Sequence, residues 1–152
     1  MSSESAALKF LGIAKKADKV KCGDDAVFAA ADMGKARIIL TASDTGENTV
    51  RKVRYNLPPG TVHVELPFSK AELGEALGNG ATAVCTVTEH GFAAAFVQKL
   101  SAEFPGRYEE VSEKLDRKAE KVLRRRRETA ELKKQKLSGK NTRHTTAKEE
   151  NA

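Results

Sequence analysis

Four short apolar runs alternate with segments of helical pattern over the first hundred residues, and this alternation restricts the fold more than any other feature. Short apolar or alternating runs bounded by turn residues predict strands, whereas apolar residues three and four positions apart predict helices. The predicted strands end at Lys21 or cover residues 37–42, 61–66 and 82–88, and the predicted helices cover residues 5–16, 24–33, 47–56, 69–78 and 88–100. Helices that alternate with strands cover the faces of a sheet, so the pattern predicts an α/β domain of about 100 residues.

Polar residues indicate how three of the predicted helices begin. Asp24 or Asp25 follows Gly23 and is expected to cap the second helix, because a short acidic side chain accepts hydrogen bonds from free backbone N–H groups. Residues 43–45 (Ser-Asp-Thr) offer caps for the third helix in the same way. Residues 69–72 (Ser-Lys-Ala-Glu) form a capping box, in which Ser and Glu each bind a backbone N–H at the start of the fourth helix.

The helical spacing also predicts which side chains face inward. The first helix places five apolar residues near helical spacing: Ala7, Leu8, Leu11, Ile13 and Ala14. The third helix turns three residues partly inward: Val50, Val53 and Tyr55. An apolar stripe of this kind is the face that a surface helix buries against its core.

The net charge of +6 is confined to the last third of the chain. Residues 1–103 carry 12 Lys and Arg against 12 Asp and Glu, whereas residues 104–152 carry 15 against 9. A neutral domain that bears a basic extension is typical of proteins that bind nucleic acid or acidic surfaces. No run of about 18 apolar residues occurs, and the N-terminus lacks the pattern of a secretory signal, so we expect a cytoplasmic protein without membrane contact.

The basic extension has the composition of a helix followed by a polar tail. Residues 107–137 contain neither Gly nor Pro and consist largely of Glu, Lys, Arg, Leu and Ala, which favours one long helix. Its thin apolar stripe, which could dock on the domain or on a partner helix, comprises Val111, Leu115, Ala119 and Val122. Residues 138–152 are polar and are expected to be disordered. The predicted organisation is therefore a domain over 1–103, a basic helical extension over 104–137 and a disordered tail over 138–152.

The chemistry-bearing side chains do not form a recognisable catalytic set. Cys22 and Cys85 have no metal-type spacing, and two buried thiols are favoured over a disulfide. Cys22 lies beside Lys21, whose charge could lower the thiol pKa, but no His or acid is placed by the sequence to activate it. No phosphate loop, dinucleotide fingerprint or metal cluster appears, so we expect no enzyme, no cofactor, no metal and no small-molecule substrate.

Several short blocks, in order, resemble one known family: LGIAKKADKVKCGDDAV, GKARIILTASDTGENT, ELGEALG and AVCTVTEHGFA. Over about residues 5–100 they are similar to ribosomal proteins of the L7Ae/L30e type, in particular to the bacterial YlxQ-like branch. The resemblance implies a three-layer α/β/α sandwich with a four-stranded mixed sheet, in agreement with the alternation of elements. It also implies binding to structured RNA, especially to kink-turns, which are sharply bent helices with tandem sheared G·A pairs.

The resemblance places the RNA site at the glycine turn and the helix that follows it. Gly23 matches the glycine of the family, while the family's Asn, Glu and Lys are replaced by Asp25, Ala26 and Ala29. A carboxylate cannot donate the hydrogen bonds of an amide, and it repels phosphate, so we expect only a weak preference for kink-turns. Residues 79–81 (Asn-Gly-Ala) resemble the family's second RNA-contacting loop. The RNA-binding residues predicted from the resemblance and the charge pattern together are Lys15, Lys16, Lys19, Lys21, Gly23, Asp24, Asp25, Asn79, Gly80, Ala81, Arg124, Arg125, Arg126 and Arg127.

Two functions of different classes follow from these observations. The first is a ribosomal or ribosome-associated RNA-binding protein, whose partners are structured RNA, ribosomal RNA in the first place, and ribosomal proteins. Residues 124–127 favour this function, since four consecutive arginines point to all sides of a helix and cannot all find Glu partners four residues away. The alternative is a protein-interaction adaptor that uses the C-terminal helix and has lost the ability to read RNA.

Overall fold

The computed structural model describes residues 5–136 with their side chains and residues 137–151 by their backbone alone. Ten elements follow one another: α1 (Ala6–Lys16), β1 (Val20–Cys22), α2 (Asp24–Asp32), β2 (Ile38–Thr41), α3 (Glu47–Tyr55), β3 (Val62–Glu65), α4 (Lys70–Leu77), β4 (Val84–Val87), α5 (His90–Glu103) and α6 (Glu109–Asn151). The order agrees with the predicted alternation, and the predicted boundaries are within one to two residues for most elements.

The four strands form one mixed sheet in the order β1-β4-β2-β3. Strands β2 and β3 are parallel, whereas β4 runs antiparallel to both of its neighbours, β1 and β2. One end of the sheet, called here its upper edge, therefore holds the C-terminal ends of β1, β2 and β3 and the start of β4. Strands β2 and β4 are buried along their whole length, which explains their continuous apolar runs.

Helices cover both faces of this sheet. On one face, α2 and α3 share a cluster with the strands that contains Val27, Val53, Ile39 and Val84. Helices α1, α4 and α5 pack together, with α1 lying against both α4 and α5. The predicted α/β/α sandwich with a four-stranded mixed sheet is confirmed.

Two inward-facing residues were predicted wrongly. Ile13 on α1 is 59% exposed, and Tyr55 at the end of α3 is 90% exposed. The helical periodicity identified the buried stripe of each helix, but both residues lie at its margin, where the neighbouring element decides exposure. The remaining predicted residues of α1 are buried, as is Val53 on α3.

The helix starts differ from the sequence prediction in two of three cases. The capping box at Ser69 and Glu72 is present. The N-cap positions of α2 and α3 are instead occupied by Gly23 and Gly46, neither of which can supply a side-chain hydrogen bond. Residues 43–45 make other contacts, which tertiary packing provides: the Ser43 amide binds Phe68 O, Asp44 accepts from Lys70 N of α4, and the Thr45 hydroxyl binds Ala42 O and Ala83 O.

The chain divides into two compact units, residues 1–116 and residues 117–152. The first includes the start of α6, where the Tyr108 hydroxyl donates to Glu65 O over 2.9 Å and Leu115 is buried. Of the predicted apolar stripe, Val111, Ala119 and Val122 are half-buried.

The tail predicted as disordered, residues 138–152, lies outside the residues whose side chains are described. Within the described chain, no helix combines the length and the apolar content that a membrane span requires.

Candidate nucleic-acid interface

The glycine turn between β1 and α2 forms an open point on the upper edge of the sheet. Gly23 has a φ of 90° and a ψ of 154°, a backbone conformation that residues with a Cβ rarely adopt. Its amide donates to Val84 O of β4 and its carbonyl accepts from Val27 N, both over 3.0 Å, so the turn is fixed at both ends. A Cβ built on Gly23 would meet no described atom within 4 Å, which leaves room for a ligand to approach the backbone.

The first turn of α2 carries two exposed carboxylates. Asp24 and Asp25 lie inside the helix and not at its cap, so the predicted capping role of either residue is wrong. Their negative charges still interact favourably with the positive end of the helix dipole and so stabilise the helix. The same charges oppose the approach of a phosphate to the free N–H groups of this turn.

Asn79 joins the loop before β4 to the glycine turn. Its side chain and the Lys15 charge both act on the thiol of Cys22, the residue before Gly23, and both lower the pKa of that thiol. Burial raises the pKa of Cys22 more than Lys15 and Asn79 lower it, so the thiol remains protonated at neutral pH. Lys15, Gly23 and Asn79, which are far apart in the sequence, thus meet around one half-buried side chain.

The other predicted lysines lie at the end of α1, in the turn after it and in β1. Lys21 forms an exposed ion pair with Asp18, with 3.2 Å between Nζ and Oδ1. Such a pair contributes little free energy, so Lys21 is available to a phosphate. Lys16 is exposed in the last turn of α1, and Lys19 is anchored through its backbone to Ala14 and Thr88.

The four consecutive arginines belong to the second compact unit. Arg124, Arg125, Arg126 and Arg127 are all exposed, and the side chains described up to residue 136 provide no ion pair for any of them. Their side chains are therefore free for a polyanion.

A cleft of about 440 Å³ opens at the carboxyl ends of the parallel strands β2 and β3. Its polar lining residues include Thr41, Ser43, Thr45, Glu65 and Arg107. Near it, Thr41 Oγ1 lies 2.9 Å from His63 Nε2, and burial lowers the pKa of His63 against the opposing effect of Glu65. The sequence analysis did not predict this cleft, because its residues come from elements that only the parallel pairing of β2 and β3 brings together.

Sequence comparison identifies related proteins. A model of the ribosomal protein L7Ae/L30e/S12e/Gadd45 family matches residues 5–97. The chain is similar to the RNA-binding protein YlxQ of Bacillus subtilis strain 168, with 33% identity over 90 residues that cover 59% of this chain and 90% of that protein. It is also similar to the RNA-binding protein YlxQ of Enterococcus faecium, with 31% identity over 91 residues, 57% of this chain and 84% of that protein.

Two solved structures share the fold. A protein with unknown function from Bacillus halodurans C superimposes with a TM-score of 0.60 at 23% identity and covers 64% of this chain and 99% of its own. The 15.5 kD RNA binding protein of Giardia lamblia superimposes with a TM-score of 0.53 at 22% identity and covers 62% of this chain and 84% of its own. At these identities the two structures establish the common fold.

Proposed function

This chain belongs to the ribosomal protein L7Ae/L30e/S12e/Gadd45 family, and we propose that it binds structured RNA as a ribosomal or ribosome-associated protein of the cytoplasm. The matched region contains every element from α1 to β4 and part of α5. The predicted resemblance to this family and to its YlxQ-like branch is confirmed. The family and its matched relatives are not enzymes, which also confirms the prediction that the chain is not an enzyme.

The observation that carries the proposal is the open glycine turn with Lys15 and Asn79 beside it. Gly23 leaves the backbone accessible, Asn79 is exposed, and the Lys15 charge adds attraction for phosphate. A folded RNA can approach this edge closely because nothing described, apart from the neighbouring residues, lies within 4 Å of the position that a Cβ of Gly23 would take. Contacts to backbone phosphates and to the edges of unstacked bases are the means by which proteins recognise structured RNA.

The residues of the first turn of α2 support general RNA binding with a weak preference for kink-turns. Asp25 accepts hydrogen bonds but cannot donate them to a guanine edge, and Ala26 and Ala29 offer no polar group at all. The two carboxylates at 24 and 25 also repel the phosphates on either side of a bend. Affinity on this edge therefore comes from shape and from the neighbouring lysines.

The arginines of α6 supply a second, electrostatic contribution. Residues 124–127 lie on consecutive positions of a helix, so their guanidinium groups point to all sides. Each phosphate that they neutralise releases counterions, so the affinity falls steeply with salt. We expect the intact protein to bind both a kink-turn RNA and a plain RNA duplex, with a small difference between them.

Equilibrium RNA titrations at two salt concentrations test this proposal on the full chain. Replacement of the four arginines by Gln is expected to weaken binding at least tenfold and to reduce the salt slope by about 0.7–0.9 for each lost phosphate contact. The matched control replaces the same four arginines by Lys, which keeps the charge and is expected to bind nearly as the wild type. Tight binding to the kink-turn that is insensitive to salt and to the Gln changes would contradict the electrostatic part.

A second comparison tests the edge itself. Lys15→Gln is expected to weaken RNA binding, whereas Lys35→Gln, which removes an exposed charge before the start of β2, is expected to leave it unchanged. Equal effects of the two changes would argue against a site at Gly23. One observation favours the alternative function, a protein-interaction adaptor that uses α6: Leu123 is 47% exposed and Leu132 is 60% exposed. A wild-type protein without RNA affinity would support this alternative.

A further inference from the structure

The geometry points to Gly74, in α4, as the positioning residue that seats loop 78–81 against the glycine turn. Gly74 is itself buried. Its effect on RNA would be exerted through the loop. The inference rests on the proposed RNA-binding function and assigns to this buried glycine a role in the affinity of that site.

The loop folds back onto the helix at the place where Gly74 has no side chain. A Cβ on Gly74 would overlap Gly80 O, lie 2.7 Å from Gly80 C and lie 3.1 Å from Ala81 Cα. These are backbone atoms, so they cannot move aside as the end of a flexible side chain would. Any larger residue at 74 must push the loop away from α4.

Two hydrogen bonds join the loop and the residue after it to α4, and a third lies within this segment. Asn79 N donates to Gly74 O over 2.8 Å, and Thr82 N donates to Lys70 O over 2.9 Å. The Thr82 hydroxyl donates to Gly80 O over 2.9 Å. Gly78, with a φ of 72°, provides the left-handed turn that sends the chain back along the helix.

The seat is coupled to the glycine turn through Asn79. The Asn79 backbone is bound to Gly74, while its side chain acts on the thiol of Cys22, next to Gly23. A loop displaced from Gly74 would therefore move Asn79 away from Cys22 of β1. Because a surface that is ordered before binding loses less entropy when RNA docks, this arrangement increases the affinity of the edge.

Gly74→Ala, measured against Gly12→Ala in the full chain, tests the inference. Gly12 is a suitable control because its added Cβ would lie 2.7 Å from Ala76 O, so it too creates a backbone clash with α4, but from the side of α1. Both variants are expected to unfold at lower urea concentrations. Gly74→Ala alone is expected to weaken binding of a kink-turn RNA, by about tenfold, and to shift the amide NMR signals of residues 79–81 in the free protein.

A milder pair of variants keeps the test decisive if Gly74→Ala fails to fold. Thr82→Val removes the hydroxyl bound to Gly80 O, and Thr61→Val removes a comparable hydroxyl bound to Ala36 O at the opposite edge. Thr82→Val is expected to weaken RNA binding severalfold, and Thr61→Val to leave it unchanged. If Gly74→Ala folds, wild-type RNA affinity in both Gly74→Ala and Thr82→Val would overturn the role of Gly74. If Gly74→Ala does not fold, wild-type RNA affinity in Thr82→Val alone would overturn it. Neither result would argue against the RNA site itself. A wild-type protein that binds no RNA would overturn the proposed function as well.

Discussion

Cys22 of β1 and Cys85 of β4 lie directly opposite each other in two neighbouring antiparallel strands. The bond from Gly23 N to Val84 O belongs to the next residue pair, so the two cysteines form the non-hydrogen-bonded type of pair, in which side chains lie closest. Both are free thiols, Cys22 half-buried and Cys85 buried.

Both thiols are expected to react slowly with iodoacetamide in the native protein. Burial raises the pKa of Cys85 strongly and that of Cys22 to a smaller extent, and the thiolate is the reactive form. Mass spectrometry at pH 7.5 should show slow labelling of Cys22, and labelling of Cys85 only in urea. Because the folded pKa values lie above the unfolded value of about 8.5, the thiols contribute stability below pH 8.5 that is lost as the pH rises further.

The Cys22→Ser variant provides the control for this prediction. It leaves Cys85 as the single thiol of the chain, so native protein should show almost no label. Rapid labelling of both cysteines in the folded wild type at neutral pH would contradict the burial that the structure describes.

His63 is expected to make the stability fall in mild acid. Burial lowers its pKa, so the folded protein binds fewer protons than the unfolded chain near the unfolded value of about 6.5. The contribution of His63 is complete above that value and is lost as the pH falls towards the lowered pKa. The free energy of unfolding, measured in urea, should change less between pH 7.5 and pH 5.5 in His63→Gln than in the wild type. An equal change in the two proteins would argue against the lowered pKa of His63.

Glu103 at the end of α5 is expected to stabilise the start of α1. Its carboxylate accepts from the Ser5 hydroxyl over 2.7 Å and from Ala7 N over 2.9 Å. Glu103→Ala leaves both donors without this acceptor and should lower the free energy of unfolding by about 1–2 kcal/mol. Glu75→Ala, an exposed change on α4, should stay within about 0.5 kcal/mol of the wild type. Equal effects of the two variants in urea titrations would show that the contacts of Glu103 contribute no net stability.

Asp25→Asn is expected to strengthen RNA binding. The change removes a negative charge from the first turn of α2 and provides an amide that can donate to a base edge. A gain of about three- to tenfold for a kink-turn RNA corresponds to one or two hydrogen bonds or the relief of one repulsion. Asp32→Asn at the other end of α2 removes the same charge and should have little effect. An equal gain in both variants would assign the effect to net charge and not to the position beside Gly23.

The elements could be predicted from the sequence because their signals are local. The runs at residues 37–42 and 82–88, the capping box that begins at Ser69 and the glycine at 23 each depend on residues a few positions apart. The family blocks are local in the same sense, and they pointed to the edge that carries Gly23 and Asn79.

The sequence by itself therefore determined the alternating α/β fold, its family and the basic character of the extension. The tertiary structure decided that Gly23 and Gly46 occupy the N-cap positions of their helices and that Ile13 and Tyr55 stay exposed. It also decided that Asn79 acts on Cys22 and that Gly80 packs against Gly74. Each of these depends on the strand order β1-β4-β2-β3, which brings distant segments to one edge. Such contacts have no periodicity along the chain, because they arise from the packing of elements against one another.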